Sequence, residues 1–408
     1  MLPDTSPKII GRRYLLQDII GQGGMGAVYR AQDRLTGKIV ALKRVITSSM
    51  DLSFTSSHDV IDFRVALAQE FKLLASLRHP NIIAVLDYGF DQDREPYYTM
   101  ELLDSAETLL EAGRGMSLRQ KVDLLVQMLQ ALAYLHRRGI LHRDLKPANV
   151  LVTQSTVKVL DFGLSVMRDH TGQTTDDLGV TSGTLGYMAP EVLMGNSATE
   201  AADLYGTGVI AYELFANRHL FEFVDIGQLV NDILYTAPNI DDVDISIPLG
   251  QVLERLLAKT PDDRFQSALQ VIGAFSKALE HSIHIETEAT RDSFLQAARF
   301  VGRETEQDQL NRALRDSVNG RGSLWLIAGE SGVGKSRLLD ELRTRALVEG
   351  GLVIQGYAVN TASTPYQLWR PLLGWLPLLR DLTGEEEDVI RALVPDLATL
   401  PRIDESSD

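Results

Sequence analysis

The chain of 408 residues contains no cysteine. Disulfides, thiolate metal sites and cysteine nucleophiles are thereby excluded, and a reducing compartment is permitted. No run of about 18 uninterrupted apolar residues occurs, so no membrane span is expected. Residues 1–13 lack the apolar stretch of a signal peptide, and a cytoplasmic location is the expectation. Basic residues are in deficit. Lys and Arg number 40 against 55 Asp and Glu, a formal net charge of −15. That balance disfavours a general nucleic-acid surface. What remains is ordinary globular material, 44% hydrophobic and 23% charged, long enough for two or three domains.

The chain is organised around His142-Arg143-Asp144-Leu145-Lys146-Pro147-Ala148-Asn149, which has the form H-R-D-L-x-x-x-N. Phosphoryl transfer to a hydroxyl needs a carboxylate beside the attacking oxygen, and Asp144 can accept that proton. It needs a cation near the moving phosphate, which Lys146 supplies. It needs an oxygen ligand for Mg2+, which Asn149 supplies.

The parts before this loop follow in order. Gly21-Gln22-Gly23-Gly24-Met25-Gly26-Ala27-Val28 reads G-x-G-x-x-G-x-V. Glycines let a backbone approach phosphates without Cβ clashes. A dinucleotide-binding turn has the same glycines but opens a helix. Here the pattern over 14–46 predicts strand, glycine turn, strand, turn at Thr36-Gly37, strand. The loop then covers a nucleotide, with Ile20, Val28 and Ala41 against its base. Val40-Ala41-Leu42-Lys43 places Lys43 for the α- and β-phosphates. Residues 47–63 read as a long loop or insertion. Apolar spacing from about Asp62 to Leu77 predicts a helix carrying Glu70, which either pairs with Lys43 or is solvated. Ile82 to Leu86 and Tyr97 to Met100 are expected strands. Met100 either borders the base pocket or is ordinary core, and Glu101 to Leu103 form the hinge whose backbone meets adenine.

After them, Val122, Leu125, Met128, Leu129, Leu132 and Leu135 predict an amphipathic helix over 117–138 that delivers the loop. Val150 to Val152 and Val157 to Leu160 read as short strands, with Leu151 under the adenine. Asp161-Phe162-Gly163 follows, and Asp161 is the second expected Mg2+ ligand.

Residues 14–281 therefore resemble the bacterial eukaryotic-like Ser/Thr protein kinases, whose glycine loop ends G-G-M-G. The resemblance implies an α+β, bilobal protein-kinase fold, with a small lobe of about 14–102 and a large lobe of about 103–281. It implies ATP and Mg2+ as cofactors, and it carries family roles onto Lys43, Glu70, Asp144, Lys146, Asn149 and Asp161. It implies that Gly183 to Glu191 face the acceptor, with Thr184 bridging Lys146 and Asp144. Asp203 resembles the aspartate that anchors the catalytic loop, and Arg264 the arginine that pairs with Glu191. Protein substrates with Ser or Thr hydroxyls follow as partners, with self-association for autophosphorylation. Thr174, Thr175 and Thr181 lie in an activation segment near Arg143. A phosphate there would meet an arginine; otherwise the segment is only a Thr-rich loop.

Residues 282–297 read as linker. A second unit, 298–408, opens at Phe300-Val301-Gly302-Arg303-Glu304 and continues with a helix to Ser317 and a strand over 324–328. Gly329-Glu330-Ser331-Gly332-Val333-Gly334-Lys335-Ser336 then fits G-x-x-x-x-G-K-S, followed by a helix over 336–347. Lys335 would meet phosphates and Ser336 a magnesium ion, with Gly329 and Gly334 bounding the loop. This part resembles the STAND/AAA-like P-loop ATPase modules. No later strand ends in a carboxylate, so a truncated α/β P-loop NTPase domain is expected, cut before its metal-holding strand. A pseudokinase scaffold, or the input lobe of a signalling NTPase, is the competing reading.

Overall fold

The structure, a computed structural model, describes residues 8–11, 13–23, 26–45, 77–91, 95–161, 182–222, 224–280, 303–330, 332–348, 351–356, 358 and 366–394. It divides into two compact units. One draws on Met1–Ala75, Val85–Leu102 and Phe300–Asp408, the other on Ser76–Ala84 and Leu103–Arg299.

The first unit is built on an antiparallel sheet of six strands. They are β1 (Ile9–Ile10), β2 (Tyr14–Gly23), β3 (Gly26–Asp33), β4 (Ile39–Val45), β5 (Val85–Phe90) and β6 (Pro96–Glu101), in the order β1-β2-β3-β4-β6-β5. The β3–β4 turn follows from its residues. Asp33 accepts the Thr36 hydroxyl at 2.7 Å and the Leu35 N–H at 3.0 Å, and Gly37 takes φ +69°, a left-handed conformation that suits glycine. Alternation then sorts the side chains by face. Ile10, Tyr14, Ala31, Val40, Leu42 and Tyr97 form one buried cluster. Ala41 and Lys43, on the opposite face, pair with Met100 and Tyr98 of β6 and with Arg30 and Val28 of β3.

The second unit carries a three-stranded sheet, β7 (Glu107–Thr108), β8 (Val150–Thr153) and β9 (Thr156–Val159), and a helical body. Its helices are α1 (Leu109–Ala112), α2 (Leu118–His136), α3 (Ser182–Leu185), α4 (Pro190–Leu193), α5 (Glu200–Ala216), α6 (Ile226–Tyr235), α7 (Ile247–Leu256) and α8 (Ala268–Ala278). Helix α2 starts at a capping box, Ser117 with Gln120, which satisfies two orphan N–H groups. Val122, Leu125, Met128, Leu129, Leu132 and Leu135 are all 0% exposed. Each such burial contributes roughly 1.5–3 kcal/mol gross, so packing rather than propensity fixes this helix.

Three expectations need correction or fall away. The strand expected from Ile82 begins only at Val85. Ile82 instead makes an isolated parallel bridge to Val159, and Ile83 N–H donates to the Val159 carbonyl at 3.1 Å. The cause is Asn81, whose amide donates to Gln127 and to the Val157 carbonyl and pins the segment to β9. The strand expected over 324–328 is not formed. Leu324 is 100% and Leu326 93% exposed, and among the described residues no strand lies beside it to complete its hydrogen bonds. The helix expected to carry Glu70 lies outside the described residues.

The tail contributes α9 (Glu304–Val318), α10 (Lys335–Val348), α11 (Arg370–Leu379) and α12 (Gly384–Leu393). Trp375 of α11 lies 5.0 Å under the Arg13 guanidinium, which is itself held by Asp33 and Asp87 at 2.6 and 2.7 Å. No helix among the described residues is long and apolar enough to cross a membrane.

Candidate active site

The loop after α2 is held from below by one carboxylate. Asp203, in the first turn of α5, accepts the His142 N–H and the Arg143 N–H, each at 2.9 Å. His136, the last residue of α2, contacts it through Nε2 at 2.8 Å. Burial alone would push the Asp203 carboxyl upward; the hydrogen bond and charge of His136 and the contacts with His142 outweigh it and hold it below the usual range. Arg143 takes φ 64°, left-handed for a non-glycine. Two backbone donors fixed on one buried anion hold that conformation in place.

The functional side chains follow. Asn149 is buried and donates to the Asp144 carbonyl at 2.7 Å and to Asp144 Oδ2 at 3.1 Å. Lys146 Nζ lies 2.9 Å from Asp144 Oδ2 and 3.2 Å from the Thr184 hydroxyl. Asp144 and Lys146 keep 26% and 24% side-chain exposure, enough to meet an acceptor. Lys146, rather than Thr184, is thus the bridging member of the trio.

Asp161 is brought to the same place by backbone pairing. The Leu160 N–H donates to the Asn149 carbonyl at 2.9 Å, and His142 Nε2 contacts the Leu160 carbonyl at 3.0 Å. His142 is fully buried, and that burial lowers its pKa against the pull of Asp203, Asp144 and Asp161. It serves as a neutral tie between the loop and the segment ending at Asp161. Sequence reasoning assigned His142 no role. Its place in the H-R-D triplet was the available signal, but burial is not written in a triplet.

Among the described residues no group of three His, Cys, Asp or Glu side chains gathers as a self-sufficient metal site. Asn149 and Asp161 offer hard oxygen donors, which suit Mg2+ completed by phosphates and water. The donor set therefore fits an ion that arrives with a nucleotide.

Around this, the second unit is braced by a buried ion pair. Arg264 donates from both terminal nitrogens to Glu191, each at 2.8 Å, and to the carbonyls of Ala201, Ala258 and Lys259. Tyr187 donates to Glu213 at 2.6 Å. Leu103 and Leu151 are half-buried.

In the first unit, cross-strand register gathers the expected nucleotide face. Gly21 pairs with Val28, Val28 with Lys43, and Ala41 with Met100. Lys43 is 6% exposed, Ala41 4% and Met100 5%, whereas Ile20 is 47% exposed at the rim. Gly23 and Gly26 end β2 and open β3, and Glu101 ends β6. Gly24, Glu70, Thr174, Thr175 and Thr181 lie outside the described residues.

The second glycine loop is present. Gly332 and Gly334 take φ +84° and +89°, and α10 opens at Lys335 with Ser336 in its first turn. Lys335 Nζ folds back onto the carbonyls of Gly329 and Glu330 at 2.9 and 2.6 Å. Arg303 donates to the Val333 carbonyl at 2.9 Å.

A β-rich sheet unit with a lysine face, and a helical unit with an aspartate–lysine–asparagine loop, define a protein-kinase architecture. Comparison with known proteins agrees. Residues 14–282 match the protein kinase domain family and residues 299–406 the AAA ATPase domain family. The chain belongs to the protein kinase family, joined to an AAA-type module. A probable serine/threonine-protein kinase of Streptomyces coelicolor is 36% identical over 275 residues, 64% of this chain and 39% of that protein. Serine/threonine-protein kinase Pkn1 of Myxococcus xanthus is 35% identical over 281 residues, 67% and 39% of the two chains. Serine/threonine-protein kinase PknA of Mycobacterium tuberculosis is 34% identical over 285 residues, 67% and 63%. The chain spans about two fifths of the length of the first two of these relatives.

Proposed function

We propose that this chain is an ATP-dependent serine/threonine protein kinase, with its kinase domain over 14–281, a linker over 282–297 and the P-loop module over 298–408. One observation carries the reading: Lys146 Nζ lies within hydrogen-bond reach of both Asp144 and Thr184, while Asn149 donates to the same Asp144 carboxylate oxygen and to the Asp144 carbonyl. A carboxylate held this way has a fixed orientation and a cation beside it, the arrangement that transfer to a hydroxyl requires.

In the proposed reaction the acceptor oxygen attacks the γ-phosphorus of ATP. The bond from that phosphorus to the β–γ bridging oxygen breaks, and ADP leaves. The acceptor proton passes to the Asp144 carboxylate. Lys146 stabilises the negative charge on the moving phosphoryl group. Asn149 and Asp161 would hold Mg2+, which when bound neutralises phosphate charge. Lys43 contacts the α- and β-phosphates, Glu70 orients Lys43, and Val28, Ala41, Met100 and Leu151 border the base. Self-association would let one copy phosphorylate Thr174, Thr175 or Thr181 of another, and the reading places the chain in the cytoplasm.

The test is Asp144→Asn in a phosphotransfer assay on a generic basic protein. Transfer is expected to fall roughly 10²–10⁴-fold, the usual contribution of a general base, while ATP still binds. Unchanged turnover in that variant would remove Asp144 from the role.

A further inference from the structure

We propose that His219 is a positioning residue for the acceptor-facing loop, residues 184–188, and that it helps set which peptides the site accepts. The inference rests on the kinase reading and deepens it.

The placement of His219 begins at the end of α5. Asn217 takes φ 53°, a left-handed turn that closes the helix. Two residues later the imidazole is fixed by backbone: Nδ1 lies 3.0 Å from the Phe221 carbonyl oxygen and 3.2 Å from the Phe221 nitrogen. Phe221 is in turn buried with Leu229 and Ile233, and Leu185 packs on that cluster. The ring therefore has little freedom to turn away.

What the ring touches is the loop. A Cβ at Gly186 would lie 2.7 Å from His219 Cε1 and 2.8 Å from Nε2. Real Cβ atoms do not come that close, so the imidazole fills the space a side chain at position 186 would need. The Tyr187 ring meets it edge-on, with centroids 5.2 Å apart at 89°, a favourable aromatic geometry. The phenol is anchored at its other end by Glu213. Burial, then Glu213, raises the Tyr187 pKa, so the hydroxyl stays a donor.

The loop so held begins at Thr184, whose hydroxyl contacts Lys146, and Lys146 contacts Asp144. An acceptor peptide must lie along this loop to bring its hydroxyl to Asp144. Releasing the loop should therefore weaken acceptor binding more than the chemical step, and leave ATP binding alone. No such link could be seen in sequence, since Gly186 and His219 are 33 positions apart.

The test uses the 408-residue chain and steady-state phosphotransfer to a generic basic protein with Mg-ATP. The variants are His219→Ala, Gly186→Ala and the two combined. Gly186→Ala should raise the acceptor KM by about 10-fold, because the new methyl and the imidazole compete for one space. Removing the imidazole as well should bring the acceptor KM down to about that of His219→Ala alone, a coupling that only contact predicts. His219→Ala alone should raise the acceptor KM by about 3-fold or more, with kcat falling less, and the ATP KM should stay constant throughout. Additive losses in the double variant, or acceptor and ATP KM moving together, would overturn the proposal. His219→Asn, which keeps a polar group near Phe221 but lacks the ring, covers the case in which His219→Ala fails to fold. An acceptor KM for it equal to wild type would make His219 merely structural and overturn the proposal. Absence of transfer by the wild-type chain is a different result: it would overturn the kinase reading, and this inference with it.

Discussion

Asp203→Asn keeps the shape of a buried side chain while removing its charge and one of its acceptor oxygens. Asp203 is 3% exposed and meets three partners, the His142 N–H, the Arg143 N–H and His136 Nε2. The amide oxygen of Asn can serve one backbone donor. Its NH2 group then faces the other, donor against donor. A buried donor left without an acceptor costs ~1–3 kcal/mol, and hydrogen bonds to a charged group contribute ~1.5–3 kcal/mol each. Breaking a buried charged network costs about 3–5 kcal/mol, which is the expected loss here. For a unit of 150–250 residues each kcal/mol lowers the melting temperature by ~2–4 °C, so a fall of about 10 °C is expected.

The same change should reach activity. Arg143 at φ 64° holds a conformation that costs ~1–3 kcal/mol, and the bonds from His142 and Arg143 to Asp203 keep it there. Released, the loop relaxes and Asp144 moves with it. A displacement of about 1 Å in a reacting group can cost 10²-fold, so phosphotransfer should drop by about that much or more. The assays are thermal unfolding and transfer to a generic basic protein, run beside nucleotide binding, which should persist. A variant that melts within about 2 °C of wild type and transfers phosphate at the wild-type rate would refute the reasoning.

Lys43→Met should remove almost all nucleotide turnover by this chain, whereas Lys335→Ala should change it little, because Lys335 is occupied by the carbonyls of its own loop. ATPase measurements with the opposite ranking would make the P-loop module the working site. A second expectation concerns acid stability. Burial, then the charge of Lys158, lowers the His79 pKa from 6.5 to about 4. Between those values the unfolded chain binds more protons than the folded one, so stability is lost as pH falls through that window, by up to about 3 kcal/mol. The stability gap between wild type and the non-titrating His79→Asn should shift by that amount between about pH 7 and pH 4 in denaturant unfolding; parallel curves would rule the effect out.

Local regularities were legible in the sequence, and contacts across distance were not. The six apolar positions of α2 share one face at helical spacing, and all six are buried. The β3–β4 hairpin was legible because Asp33, Thr36 and Gly37 specify a turn with their own atoms. The start of β5 lies three residues after Ile82: Ile82 and Ile83 look like strand, whereas Asn81, bonded to Gln127 and to the Val157 carbonyl, decides where pairing begins. Leu324 to Ala328 have strand composition and no neighbouring strand among the described residues, so composition could not suffice. Asp203 and Arg264 were reached by resemblance. His142 lies inside the triplet, but its tie to Leu160 joins two segments 18 positions apart and is not legible there.

These contacts share a logic that bears on how the site can fail. Two non-glycine residues beside the reacting groups, Arg143 and Asp161, sit at φ 64° and 54°. Neither conformation is favoured locally, so each must be held by bonds made elsewhere in the second unit. Asp203 holds the first through backbone donors. His142 and the Asn149 carbonyl hold Leu160, the residue before the second. The groups that enforce geometry are therefore buried, Asp203 and His142 being only 3% and 0% exposed, while Asp144 and Lys146 stay about a quarter exposed. Stability and positioning thus draw on the same hydrogen bonds, and a substitution at a buried member should lose both together. A substitution at Asp144 removes chemistry without disturbing the backbone bonds beneath it, so it should leave the melting temperature nearly intact.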